Sequence, residues 1–440
     1  MYKNKTLSKL ACLSVGLIGL GGSTASMASY QIHSPGPLLT LGKVTSPSSI
    51  LSVTGNPAGG ELLLHKDESF RMGYFSSLGV DAESGDVDNF IDDVDELVDG
   101  LNNDDLSPDE LIRFQKLLPI LGEDARVTVG LGVHAPLAPF AIRSDWLGGV
   151  VTFDLQAAGI FDTSFLDAPI IVSNTGSIST DSSLYVKGGT LLTGSVGYSR
   201  EVWQPTLFDV DSKLYAGFQA NVYRASLNKQ IIALESILDD EDVGDVIRDE
   251  FDENTVDTTQ VGLDFGLILV LPYGQVGITF ANINEPEFDY GDIGTNCSEI
   301  TDISRQTNCF AAQTFSNEID LSETAVMEAK TTVEGAFYTR NKHWLLSGAA
   351  DLNSTFDLVG RESQYISASA SYFSDSYLVP NVRLGLSQNL SGSELTTVAV
   401  GTTLFGVFNM DLSASLDQIE VDGNKVPRHF GLNIGISEKF

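Results

Sequence analysis

The sequence predicts an all-β fold, a transmembrane antiparallel up-and-down β-barrel of about fourteen strands. Three observations carry this: an export signal at the N-terminus, period-two alternation through most of the chain, and long connections confined to one side of the sheet. Length alone allows either two soluble domains or one large closed sheet for 440 residues. With 42 glycines, 19% charged and 42% hydrophobic residues, and no repetitive tract, disorder and collagen are excluded. The 59 acidic against 25 basic residues, a net charge of −34, argue against direct contact with nucleic acid, which is bound through clustered lysine and arginine.

Taken in chain order, residues 1–28 come first. They hold Lys3, Lys5 and Lys9 without an acid, then the apolar run from Leu10 to Leu20, then small residues ending at Ala28. This is the pattern of a secretory signal peptide cleaved after Ala28, and the run is shorter than the ~20 residues of a spanning helix. Cys12 lies too near Lys9 for a lipoprotein cleavage site. Removal of the signal leaves 22 basic and 59 acidic residues, or −37, and two cysteines. Cys297 and Cys309, in an exported chain, predict a disulfide that stabilises by about 3 kcal/mol. The five histidines have no ligand spacing to these cysteines or to one another, so no metal site is expected.

The strands follow from alternation. In 407–416, Phe408, Met410, Leu412, Ala414 and Leu416 share one face, and Asn409, Asp411, Ser413 and Ser415 the other. The pattern recurs in 214–223 and 365–372, with small polar residues on the second face. Such segments number about fourteen: near 69–80, 125–134, 147–159, 190–202, 212–226, 258–271, 275–285, 328–339, 343–354, 364–373, 381–390, 395–404, 407–416 and 428–440. A soluble sandwich would alternate too. The last strand carries Phe430, Leu432, Ile434, Ile436 and Phe440 on one face, interrupted by Glu438. The terminal Phe440 resembles the assembly signal of bacterial outer-membrane barrels.

Connections separate the alternatives. The four longest, 81–124, 160–189, 227–257 and 286–327, are the first, third, fifth and seventh, so all lie on one side. The other side has short turns such as Pro272-Tyr273-Gly274 and Phe405-Gly406. Long outer loops and short periplasmic turns are the signature of an outer-membrane barrel. The apolar stretch from Val261 to Ile283 has the length of a spanning helix, but Asp264, Pro272 and Gly274 predict two strands and a turn.

The loops hold the charge. Residues 81–124 contain 15 acids and two bases, and 233–257 contain 11 acids and one base. Both segments read as amphipathic helices, the first with a capping box at Ser107-Pro108-Asp109-Glu110. Their apolar stripes are expected to pack on one another and on the rim. The run Asp239, Glu241, Gly244, Asp245, Glu250 partly imitates a calcium loop, but Val243 occupies a ligand position, so no dedicated calcium site is expected.

The stretch 29–68, with Ser48-Ser49-Ile50 and Gly55-Asn56-Pro57-Ala58-Gly59-Gly60, resembles the start of FadL-like outer-membrane barrels. A closer resemblance is to the exported family labelled conjugal transfer protein TraF-like, distinct from the thioredoxin-like protein of the same name. It runs through Asp88 to Leu101, Val127 to Val133, Gly188 to Arg200, Val261 to Asn284, Ala350-Asp351-Leu352-Asn353, Gln364-Tyr365 and Val382-Arg383-Leu384-Gly385. The resemblance implies an N-terminal plug, residues 29–68, inside a barrel of residues 69–440, with Gly55, Asn56, Pro57, Ala58 and Gly59 as the plug turn. Asn56 and Pro57 suit such a turn chemically, flanked by glycines that permit unusual dihedrals.

Two functions are expected. The first is passage of hydrophobic or small solutes, with Asp154, Asp264, Asp351, Arg383 and Asp411 facing the lumen by alternation. The second is a structural or docking component of a conjugal transfer or secretion apparatus. No Ser-His-acid spacing stands out, so the chain is not expected to be an enzyme, and no cofactor is implied. The expected setting is the outer membrane of a Gram-negative bacterium. Expected partners are outer-membrane lipid and lipopolysaccharide, the barrel assembly machinery and a hydrophobic small molecule.

Overall fold

The computed structural model describes residues 37–437, except 52–54, 65–66, 103–105, 175–176, 208–209, 239–253 and 422. The signal peptide, the calcium-like run 239–250 and Phe440 lie outside the described residues. Two short helices, α1 (Leu38–Leu41) and α2 (Gly60–Leu63), precede the sheet. Its strands are β1 (Phe70–Ser84), β2 (Arg126–His134), β3 (Phe140–Ser144), β4 (Gly149–Leu166), β5 (Ser183–Trp203), β6 (Lys213–Ala233), β7 (Val256–Leu271) and β8 (Gly274–Ala281). They continue with β9 (Lys330–Tyr338), β10 (Trp344–Asp351), β11 (Tyr365–Tyr372), β12 (Asn381–Asn389), β13 (Thr396–Leu404), β14 (Phe408–Ser415) and β15 (His429–Ser437).

Strands adjacent in sequence pair antiparallel, β2 and β3 excepted, and β1 pairs with β15, so the sheet closes. Strands β2 and β3 share one position, β2 against the upper part of β1 and β3 against Phe70–Met72, giving a closed barrel of fourteen positions. The five residues between them, 135–139, form an interruption that the sequence reading treated as a connection. It leaves no open edge: Leu137 N donates to Tyr74 O at 3.0 Å and Gly73 N to Pro139 O at 3.0 Å.

Burial is inverted relative to a soluble domain. On β14, Asn409, Asp411, Ser413 and Ser415 are buried, whereas Met410 and Leu412 are exposed. On β6, Tyr215, Gln219, Asn221 and Tyr223 are buried and Phe218 and Val222 exposed. The apolar face points outward and the polar face into the bore.

Strands β4, β5 and β6 run further than expected, so the wall rises on that side and the connections 160–189 and 227–257 shrink. Of the helix expected over 233–257, the described part is only the 3-10 turn Leu234–Leu238, between the end of β6 and the start of β7. The reason is that Leu227, Ile231 and Ile232 are buried under the loops and keep their sheet partners in 183–189. The first long loop forms α3 (Phe90–Asn102) and α4 (Pro108–Asp124), whose buried Leu97, Phe114, Leu118 and Leu121 pack on Phe165, Leu184 and Ile232 of the raised wall. The Ser107–Glu110 capping box is present.

The loop from β8 to β9 contains a helix that the sequence did not suggest, α5 (Ile303–Thr314), tied to Cys297 by the Cys297–Cys309 disulfide. This loop is latched to the wall: Lys187 Nζ meets Glu323 Oε1 at 2.5 Å, Lys229 Nζ donates to Asp320 O at 2.5 Å, and both ammoniums face the Tyr290 ring. Burial, with Glu323 adding to it, pushes the Tyr290 phenol well above its ordinary pKa.

Candidate functional site

The bore is occupied by the described residues of the chain's own segment 37–64, held through inward groups of the wall. Asn56 caps the 3-10 turn Pro57–Gly59, its Oδ1 accepting from Ala58 N at 3.0 Å while Nδ2 donates to Glu334 Oε1 at 3.3 Å. Glu334 also accepts from Thr45 N at 2.5 Å, and Gln275 Nε2 donates to Thr45 O at 2.6 Å. A Cβ added at Gly217 would stand 2.3 Å from the Pro57 carbonyl carbon, and one at Gly266 2.0 Å from Asn56 Oδ1. Inward glycines on β6 and β7 therefore make the groove that receives the turn. Gly55, Ala58 and Gly59 complete that turn, Ala58 packing on Tyr215 and Ile268.

The α1 end of the segment is polar-bonded. Thr40 Oγ1 donates to Asp411 Oδ1 at 2.8 Å and accepts from Arg383 Nε at 3.1 Å. Gly42 ends α1 at φ 66°, where only glycine is at ease, and its α-carbon faces Ser367 so closely that a Cβ would lie 2.4 Å from Oγ. Lys43 Nζ meets Asp351 Oδ2 at 3.1 Å. Toward the short-turn rim, Ile50, Leu63 and Leu64 pack on Ala141 and Val150, and Arg143 Nη1 meets Glu61 Oε2 at 3.2 Å.

All five residues placed in the lumen by alternation are buried and inward: Asp154, Asp264, Asp351, Arg383 and Asp411. Only two of them meet each other. Arg383 Nη2 bonds both Asp411 oxygens at 3.0 and 3.1 Å, with Nη1 on Thr403 Oγ1 at 2.6 Å. Asp264 accepts from Asn221 Nδ2 at 2.7 Å and Asn282 N at 2.8 Å, and Asp154 accepts from Gln156 Nε2 at 3.1 Å beside His134. Asp351 carries the two ammoniums of Lys43 and Lys330.

Between the segment and the long loops lies a chamber of about 500 Å³. Lys43, Gly55 and Pro57 form part of its floor; Asp81, Asp264, Asp351 and Arg361 are among its wall residues, and Glu123 and Asp124 close it from α4. Sequence reasoning missed Lys43, Glu334, Lys330 and Arg361. Strand parity with Thr332 would have placed Glu334 inward, but nothing periodic marks Lys43 or Arg361.

Solved structures to which the chain is similar include the toluene transporter TodX of Pseudomonas putida, at 12% identity and TM-score 0.42, covering 93% of this chain and 97% of that one. The toluene transporter TbuX of Ralstonia pickettii matches at 12% identity and TM-score 0.41, covering 93% and 98%. The outer membrane phospholipase A of Escherichia coli matches at 9% identity and TM-score 0.24, covering 85% and 100%. No curated protein matches. The model of the family described as "F plasmid transfer operon, TraF, protein" matches residues 53–351, more than half of the sequence, and to that family the chain belongs.

Proposed function

We propose that this chain is an outer-membrane β-barrel that passes small solutes, with residues 37–64 as the plug of its bore. The observation that carries the reading is the inverted wall: an apolar outer face, a polar bore, and an exposed aromatic at or beside every connection on the rim opposite the four longest loops. Those aromatics are Trp146, Trp203, Tyr273, Trp344, Tyr377 and Phe405, one for each of the six connections on that rim. Five of these six are tryptophan or tyrosine, amphipathic rings that suit the boundary between hydrocarbon and water. The chamber gives a solute somewhere to enter, and the segment beneath it is a removable floor, bonded by side chains and close packing rather than as a strand of the wall.

Gly266→Ala tests the plug. Its methyl group displaces Asn56, so the variant barrel, still heat-modifiable on gels, is expected to let small sugars swell proteoliposomes faster than the parent. An unchanged rate in a folded variant counts against the plug. Hydrophobic cargo, as the family resemblance implies, remains within this reading and would compete with sugars for the same floor.

A second reading, a docking component of a transfer apparatus, is supported by the family description and by Ile112 and Ile120, half-exposed on α4. Photo-crosslinkers at those two positions in cells carrying out transfer would capture a protein partner; capture of lipopolysaccharide alone would count against it.

A further inference from the structure

We propose that the chamber has a second activity, acyl transfer from small carboxylic esters to water, carried by Ser413, His429 and Glu83. These residues are distant in sequence, so no spacing announces them, and three adjacent strands of the closed sheet bring them together. Glu83 on β1 stands directly opposite His429 on β15, and Ser413 on β14 is paired with Gly431, two positions further along β15. Ser413 Oγ and His429 Nε2 lie 3.3 Å apart, and His429 Nδ1 and Glu83 Oε2 lie 3.9 Å apart. A hydroxyl at one imidazole nitrogen and a carboxylate at the other is the order that a serine nucleophile requires, and such contacts are often loose before substrate binds.

Gly431 is a separate observation. A Cβ there would stand 2.5 Å from Ser413 Oγ and 3.5 Å from His429 Nε2, so the glycine keeps open the space in which the two side chains meet. All three residues of the set line the chamber of about 500 Å³, which limits the substrate to a small ester. The His429 side chain is 16% exposed and Ser413 3%. The same Cβ would lie 3.8 Å from Leu39 Cδ1, so α1 of the plug borders the serine, and the way to it from the chamber runs past Leu39.

The chemistry follows from these positions. Ser413 Oγ attacks the ester carbonyl carbon while its proton passes to His429 Nε2, and the Glu83 carboxylate stabilises the imidazolium. Arg361, on the chamber wall and near enough to Glu83 for their charges to interact, is the cation on hand for the oxyanion. The ester C–O bond then breaks, and the alcohol leaves with the proton from His429. Water, giving its proton to His429, attacks the acyl-serine; the acid is released and the Ser413 hydroxyl is restored.

The test uses the full chain, folded in detergent, with p-nitrophenyl acetate as substrate and a fluorophosphonate as probe. The probe is expected to attach to Ser413, mapped by peptide mass, and Ser413→Ala to abolish both attachment and ester hydrolysis. His429→Gln is expected to slow both by about 100-fold or more, the share of a general base. Gly431→Ala leaves all three side chains in place but puts a methyl group between two of them, and is expected to slow both reactions as well. Leu39→Ala, which widens the way to the serine, is expected to speed attachment several-fold. Each variant is read as a heat-modifiable barrel; if His429→Gln does not fold, Glu83→Gln replaces it, with a smaller loss expected. No attachment in the folded parent and in Leu39→Ala, attachment at another residue, or rates unchanged in folded Ser413→Ala or in the folded His429 or Glu83 variant overturns the proposal. Passage of solutes is decided separately, by the swelling assay on Gly266→Ala.

Discussion

Arg383 and Asp411 show what a single inward position has to satisfy. Their side chains are 2% and 0% exposed, and the pair is completed by Thr40, Thr403 and the Thr402 carbonyl. Removing one partner strands a buried charge, which costs about 3–5 kcal/mol, whereas replacing both by apolar side chains of similar volume costs less. Arg383→Met is therefore expected to lower unfolding stability by that amount, and Arg383→Met with Asp411→Leu by less. Urea unfolding of the reconstituted chain, followed by tryptophan fluorescence, measures both; a double variant as unstable as the single would show that the pair has no such coupling. Parity made both residues legible as inward, because side chains on a strand alternate strictly. Their pairing was not legible, since register across β12, β13 and β14 is a property of the closed sheet, and Thr40 reaches them from more than three hundred residues away in sequence.

At the scale of elements, α4 and α5 mark the two ends of legibility. Helix α4 announces itself by Ser107 as cap, Pro108 at the first turn and Glu110 closing the box, followed by an apolar stripe that the structure buries as Phe114, Leu118 and Leu121. Helix α5 reads ISRQTNCFAAQT, in which serine, glutamine, threonine and asparagine interrupt any stripe, so no periodic signal precedes it. It is held instead by the Asp302 cap on Arg305 N, by Ala311 and Ala312 packing into the loop core, and by the disulfide closing a separation of 12 residues. A crosslink over so short a loop stabilises by about 3 kcal/mol, and it acts within the loop rather than across the barrel. Reduction is expected to raise amide hydrogen exchange through 297–314 while the amides of β7 to β9 keep their protection. Equal loss of protection in both would mean that the loop and the wall unfold as one unit.

The whole molecule turns on which side of the sheet the apolar residues face, and alternation alone is silent on that, because a sandwich and a barrel share period two. The parity of the connections separates them in the sequence: the four longest fall on one rim, as the closed sheet of fourteen positions has them. The extra height of β4, β5 and β6 was not legible, because their upper residues are covered by loop side chains and so lose the apolar-polar contrast that marks a membrane-facing strand. The short-turn rim supplies a test of the membrane placement that needs no ligand. All three tryptophans of the chain, Trp146, Trp203 and Trp344, lie there, 91%, 61% and 50% exposed. If the apolar wall is covered by lipid, the indoles sit at one interfacial level, where amphipathic rings are favoured. Lipids brominated high on the acyl chain are then expected to quench the intrinsic fluorescence more strongly than lipids brominated near its end. Replacing each tryptophan by phenylalanine in turn should remove a share of the signal without changing that order. Quenching indifferent to bromine depth, or strongest near the chain end, would place the rim away from the interface and with it overturn the orientation of the barrel in the membrane.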